Sequence, residues 1–154
     1  MTIIRYKFSI DDDVIKKYSI RLPVQIAYYV MIYLNDPNGW SKKGFFFEES
    51  KSGHSIIIRM ASAETIQRVC GDGSLSCAEL NGKRMYINAD RWFHGSSHSR
   101  LSLEDYRQYL VSHEIGHILG HEHDRCKCKG CPAPIMMQQT NGIGTCSPNT
   151  EVFK

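Results

Sequence analysis

The sequence has no apolar run of membrane-spanning length. Its longest candidate, residues 22–34, contains Pro23 and Gln25 and reaches only about half the length that a spanning helix needs. No membrane association is expected from it. Runs of basic residues interleaved with aromatics are also missing, and the net charge of +3 is mild. A nucleic-acid partner is therefore not expected. No segment repeats, which excludes a solenoid or propeller. Residues 1–8 (MTIIRYKF) alternate like a strand and contain no apolar signal core. A secretory signal peptide is not expected at this start.

The chain has 154 residues, 42% of them hydrophobic and 23% charged. That length suffices to bury a proper core, and the balance is ordinary for a globular protein, so a single domain over 1–154 is expected. Residues 3–10 alternate as a strand. Asp11–Asp13 suits a cap or turn, and a helix runs from Leu22-Pro23 to about Leu34, ended by Asn35-Asp-Pro-Asn-Gly39. Two strands, 44–49 and 54–60, are joined across Lys51-Ser-Gly53. Ser62 caps a short helix to Val69, and Arg84–Asn88 forms a last strand. Ser102, with Asp105 three residues on, opens a long helix to about Leu119. Its apolar positions are Leu103, Tyr106, Leu110, Val111, Ile115 and Ile118. Trp92 is a core candidate. Beyond Gly120 no periodicity remains. Strands and helices in this order, followed by an irregular end, make an α+β chain.

Residues 113–123 read HEIGHILGHEH, which is HExxHxxGxxH. His113 and His117, four apart on a helix, point the same way and can share one metal ion. Glu114 is rotated by a fraction of a turn. It can lie beside the metal without ligating it, where a general base for a bound water belongs. Gly120 can adopt φ > 0 and stop the helix, so that the returning chain delivers His123 as a third ligand. His121 also continues the i, i+4 series. On an unbroken helix it would stand about 12 Å from His113 along the axis, too far for bonds of about 2 Å to one ion. It is therefore read as a solvent-facing residue or one that supports a ligand. One zinc ion, held by three neutral imidazoles with an open position, is the expected cofactor.

Six cysteines suggest a secreted or otherwise oxidising setting, and leave the compartment itself open. Cys70 and Cys77 flank a turn-rich stretch that could bring them to bridging distance. Cys126, Cys128, Cys131 and Cys146 cluster after the motif. Disulfides, a second Cys₄ zinc site and free thiols all stay open for these four.

HExxHxxGxxH followed by a downstream Met resembles the metzincin zinc endopeptidases, and Asp124 directly after the third His resembles their adamalysin branch. Residues 86–95 (YINADRWFHG), 106–109 (YRQY) and 133–140 (APIMMQQT) are similar to a metzincin-like family described mostly from actinobacteria. The likeness spans about residues 28–149. It implies a zincin-type fold: a twisted mixed sheet and two long helices above a cleft (1–120), and an irregular Cys-rich part below it (121–154). It implies a zinc-dependent endopeptidase in which Glu114 activates a zinc-bound water. A zinc-containing binding or structural module without turnover is the alternative. Met136 matches the methionine turn beneath the ligands, with Met137 adjacent. Gln138 stands where several metzincins carry a Tyr near the metal. The resemblance also implies a Cys126–Cys146 clip around the Met loop, which leaves Cys128 and Cys131 as a short-range pair. Asp124 could orient the site through a hydrogen bond, or be a plain loop residue. His94 could approach the cleft, although a structural role is the plainer reading for it and for His98. The expected partner is a peptide or protein bound in extended form along Arg84–Asn88, read as the sheet edge, by a monomeric enzyme.

Overall fold

The computed structural model describes residues 1–153. Its first element, β1 (Thr2–Ile10), explains the rest of the sheet. Along it Ile4, Tyr6, Phe8 and Ile10 turn toward the core, and Ile3, Arg5, Lys7 and Ser9 toward solvent. This is the alternation of a half-buried strand. Nine residues are long enough to take a different partner on each edge. β2 (Phe45–Glu49) pairs with the first half of β1 and β3 (Ile56–Ala61) with the second half, both in parallel. The two strands joined by Lys51-Ser-Gly53 are thus not neighbours: β1 lies between them.

α1 (Asp12–Lys17) and α2 (Pro23–Leu34) follow β1, with Pro23 in the first turn of α2, where its missing N–H costs nothing. α3 (Ala63–Cys70) is capped by Ser62, whose Oγ accepts the Thr65 N–H at 3.1 Å. β4 (Cys77–Ala78) and β5 (Arg84–Asn88) complete a five-stranded mixed sheet of order β2-β1-β3-β5-β4, in which only β4 is antiparallel. The expectation that Arg84–Asn88 is the edge is overturned. β5 pairs with β3 on one side and β4 on the other, and the edge beside the site is the two-residue β4. Cys77 and Ala78 carry no strand pattern of their own. The hairpin back to β5, with Asn81 at φ 53°, places them there.

α4 (Ala89–His94) is capped by Asn88, whose Oδ1 accepts from the Asp90 and Arg91 N–H groups. α5 (Leu103–Ile118) is capped by Ser102, whose Oγ accepts the Asp105 N–H at 3.2 Å. It packs against α2, α4, β4 and β5 and is buried along nearly its whole length. Trp92 is core, as expected; Leu103, in the first turn of α5, is not, at 38% exposed. A helix buried to this extent finds partners inside the protein for most of its polar groups. The Gln108 Nε2 donates to the Tyr33 carbonyl and to Ser112 Oγ, and Trp40 Nε1–H donates to the Ser112 carbonyl at 2.8 Å. None of the described helices is long and apolar enough to cross a membrane.

Among the described residues beyond α5, only a 3₁₀ turn at Gln139–Asn141 and one bridge between Pro132 and Ser147 are regular. The small core there is Ala133, Ile143 and Cys146. Disulfides link Cys126 to Cys146 and Cys128 to Cys131, with Cα–Cα distances of 5.7 and 5.3 Å, while Cys70–Cys77 ties the end of α3 to β4 at 6.5 Å. Among the alternatives for these thiols, the structure has the disulfides.

Candidate metal centre

His113 and His117 lie one turn apart on the last two turns of α5. Leu119 closes the helix, and Gly120, at φ 98°, reverses the chain. An L side chain at that φ would be strained, which is why glycine stands at this turn. The chain returns and brings His123 back. One ring nitrogen from each of His113, His117 and His123 lies within 4.8 Å of the other two, a group able to hold a metal ion. Nε2 of His117 faces Nε2 of His123 at 3.1 Å. Two nitrogens bound tetrahedrally to one zinc at about 2.0–2.1 Å would stand about 3.3 Å apart.

Two of the three rings are oriented from behind. His113 Nδ1–H donates to the Ile135 carbonyl and His117 Nδ1–H to the His121 carbonyl, each at 2.8 Å. A carbonyl can only accept, so Nδ1 carries the proton and Nε2 keeps its lone pair for the centre. His113 Nε2 and Glu114 Oε2 are buried without a partner among the described residues. Orphaned buried polar atoms are rare and costly. A cation held by the three rings would satisfy His113 Nε2, and Glu114 lines the same cleft as His117 and His123. Burial holds the His113 ring down to about pKa 3 and pushes the Glu114 carboxyl up to about 8. The His117 ring is lowered too, first by burial. Neutral imidazoles are the form that ligates.

Below the helix, Met136 fills the space left by a glycine. A Cβ on Gly116 would stand 2.2 Å from Met136 Sδ and 2.9 Å from Trp40 Cζ2. Tyr109 fastens the same loop: its hydroxyl donates to the Met137 carbonyl at 3.1 Å and accepts the Gln139 N–H at 3.0 Å. Asp124 departs from the orienting role considered for it. Its carboxylate accepts from Lys127 Nζ and the Arg125 N–H, and these hold its pKa below the usual range. Its backbone makes the useful contact instead, the Asp124 N–H donating to the Met136 carbonyl at 3.0 Å. His121 has its ring outside the cluster, as read from the spacing. His94 and His98 are exposed and take no part, and His94 lines a separate hollow with Asp90 and Arg91.

The centre opens onto a cleft of about 360 Å³. It is lined by Leu75, Ser76 and β4, cross-braced by Cys70–Cys77, and by Glu114, His117, His123 and Gln138. Sequence reasoning missed three contributors. Trp40 packs on Gly116, the Asn81 N–H donates to the His117 carbonyl at 2.9 Å, and Ile135 offers only a carbonyl. Backbone donors and acceptors leave no trace in a sequence. Trp40, directly after a strong turn signal, is the one that composition could have flagged.

Two solved structures of myroilysin are similar to the chain. One is 19% identical with a TM-score of 0.45, over 80% of this chain and 43% of that one. The other is 18% identical with a TM-score of 0.43, over 82% and 46%. The chain thus spans less than half the length of either. No curated protein matches it. A family model matches residues 4–152, nearly the whole chain, and by that match the chain belongs to the family described as "Protein of unknown function (DUF3152)".

Proposed function

We propose that the chain is a zinc-dependent endopeptidase with a metzincin-like layout, residues 1–120 above the cleft and 121–154 below it. The observation that carries this reading is the grouping of three imidazole nitrogens at a cleft that Glu114, buried and with Oε2 unpartnered, also lines. His113, His117 and His123 would hold one zinc. When bound, zinc supplies Lewis acidity, polarising a carbonyl and lowering the pKa of water toward neutrality. Three neutral ligands preserve its full charge for that purpose.

The chain's own residues divide the remaining work. Glu114 takes the proton of the attacking water on its carboxylate and returns it to the leaving amine. Met136, seated against Gly116, keeps the third-ligand loop at a set distance from α5. The free edge of β4 is the place for an extended peptide to add as a strand, with its carbonyls passing Glu114. Gln138, in the cleft lining, offers an uncharged amide where several metzincins carry a phenol.

The test is digestion of a diverse denatured-peptide library by the purified protein, read by mass spectrometry beside Glu114→Ala and a chelated sample, with metal content measured on all three. The expected result is cleavage by the parent alone, while Glu114→Ala still holds one zinc. The parent would lose a factor of about 10²–10⁴ without its base. Stoichiometric zinc with no cleavage by the parent would overturn the peptidase and favour a binding module. A parent that holds no zinc would overturn the metal site itself.

A further inference from the structure

We infer that Trp40 is a positioning residue for the second histidine ligand and acts through the stack it makes on His121; the inference rests on the zinc-peptidase reading above. His117 lies in the last turn of α5, where the helix no longer holds the following chain. Its ring is oriented by one hydrogen bond, Nδ1–H to the His121 carbonyl at 2.8 Å. The direction of Nε2 therefore depends on where residue 121 sits.

Residue 121 follows the Gly120 reversal and belongs to no helix or strand. Two contacts hold it. Its N–H donates to the Gly116 carbonyl at 2.9 Å. Its ring lies on the Trp40 indole, with centroids 4.8 Å apart and planes 25° apart, a stacked pair. Trp40 is a firm base for that stack. It is 3% exposed, its Nε1–H is bonded to the Ser112 carbonyl at 2.8 Å, and its ring edge fills the space beside Gly116. Lys43 Nζ lies 5.6 Å from the ring centroid as well. The indole thus grips α5 before His117 and the chain after it, from a turn some 70 residues away in sequence. It makes none of the metal-directed contacts itself. This also assigns a purpose to His121: its aromatic face is what the site uses, and its nitrogens are not.

The test is zinc affinity by competition with a chromogenic chelator, together with the visible spectrum of the cobalt-substituted protein, which reads ligand geometry. His121→Ala is expected to weaken zinc about tenfold, the low end for residues that orient ligands, and to change the cobalt spectrum. His121→Phe keeps a stacking ring without a nitrogen, and is expected to retain the parent affinity and spectrum. Trp40→Leu should match His121→Ala, and the double variant should be no worse than either single one. Trp40 is core, so the His121 pair decides the matter if Trp40→Leu does not fold. Parent affinity in His121→Ala would overturn the inference. So would an equal loss in His121→Phe, which would make the imidazole nitrogen the working group. A parent without zinc would sink the metal-site reading instead, a result visible before any variant is made.

Discussion

The two parts of this molecule are held together by different physics. Residues 1–120 form a mixed sheet packed with helices and hold most of a large apolar core that includes Tyr6, Ile58, Met60, Ile87, Trp92 and Ile115. Residues 121–153 bury only Ala133, Ile143 and Cys146 as a core of their own. They lend Ile135, Met136 and Val152 to the larger core, and within themselves they rely on two disulfides and side chains that cap backbone groups. Gln139 and Asn149 alone bond to the carbonyls of Asn149, Ala133 and Glu151. The candidate metal centre lies across the seam, with two ligands on the last turns of α5 and one on the loop. A preorganised site needs the loop to be as well placed as the helix, and the contacts at Met136, Tyr109 and Asp124 meet that need.

If the contrast is right, the loop part should depend on its crosslinks. Replacing Cys126 and Cys146 by Ser removes a link that closes a segment of 20 residues. Stability should fall by about 3 kcal/mol. Amide hydrogen exchange should rise after residue 121 and stay slow in β1 and β3. Equal loosening of both parts would break the comparison.

The seam itself is tested by Gly116→Ala. The added methyl collides with Met136 Sδ and with the Trp40 ring. A loss of about 1–3 kcal/mol in thermal or urea unfolding is expected, with weaker zinc binding. Restoration of metal affinity by combining it with Met136→Ala would show that the methionine transmits the push.

The metal-free protein should show a stability maximum near pH 6.5. His113 is held near 3 against an ordinary value of 6.5, and His117 is lowered as well. Below 6.5 the unfolded chain binds these protons in preference, so their contribution makes stability rise with pH. Glu114 is raised from 4.5 to about 8, so the folded state binds its proton in preference and stability falls with pH across that window. From 4.5 to 6.5 the two slopes oppose, and from 6.5 to 8 only the fall remains. Melting temperatures of chelated protein across pH 5–8.5 check this, and Glu114→Gln should abolish the fall.

The smallest effect belongs to the helix start. Ser102→Ala removes the side chain that caps the Asp105 N–H, at a cost of about 1 kcal/mol in unfolding free energy. The candidate metal centre, about three to four turns away, should be unaffected, and zinc affinity measured alongside would show whether α5 moves as one body.

Much of the first part was legible in the residues. Pro23 and the turn after Leu34 bounded α2, apolar spacing located α5, and cap chemistry located the starts of α3 and α5, because local backbone preference decides those features. The neighbours of β1 were not legible, nor was the edge strand. Pairing partners in a sheet are chosen by the whole fold, and a two-residue strand such as β4 has no pattern to read. At the site the three histidines and Glu114 could be picked out because helical geometry makes spacing a distance. Trp40, Asn81 and Ile135 could not, since they act through a ring stack, an N–H and a carbonyl supplied by distant chain.

By itself, then, the sequence determined the three histidines that come together, the break at Gly120 and the α+β character, all of which follow from short-range geometry and the covalent limits of a few residues. Only the tertiary structure decided which strand borders the cleft, which thiols meet, and what holds His117 and His123 at a common centre. Those are contacts between segments far apart in the chain, and they exist only after burial of a shared core has brought the segments together.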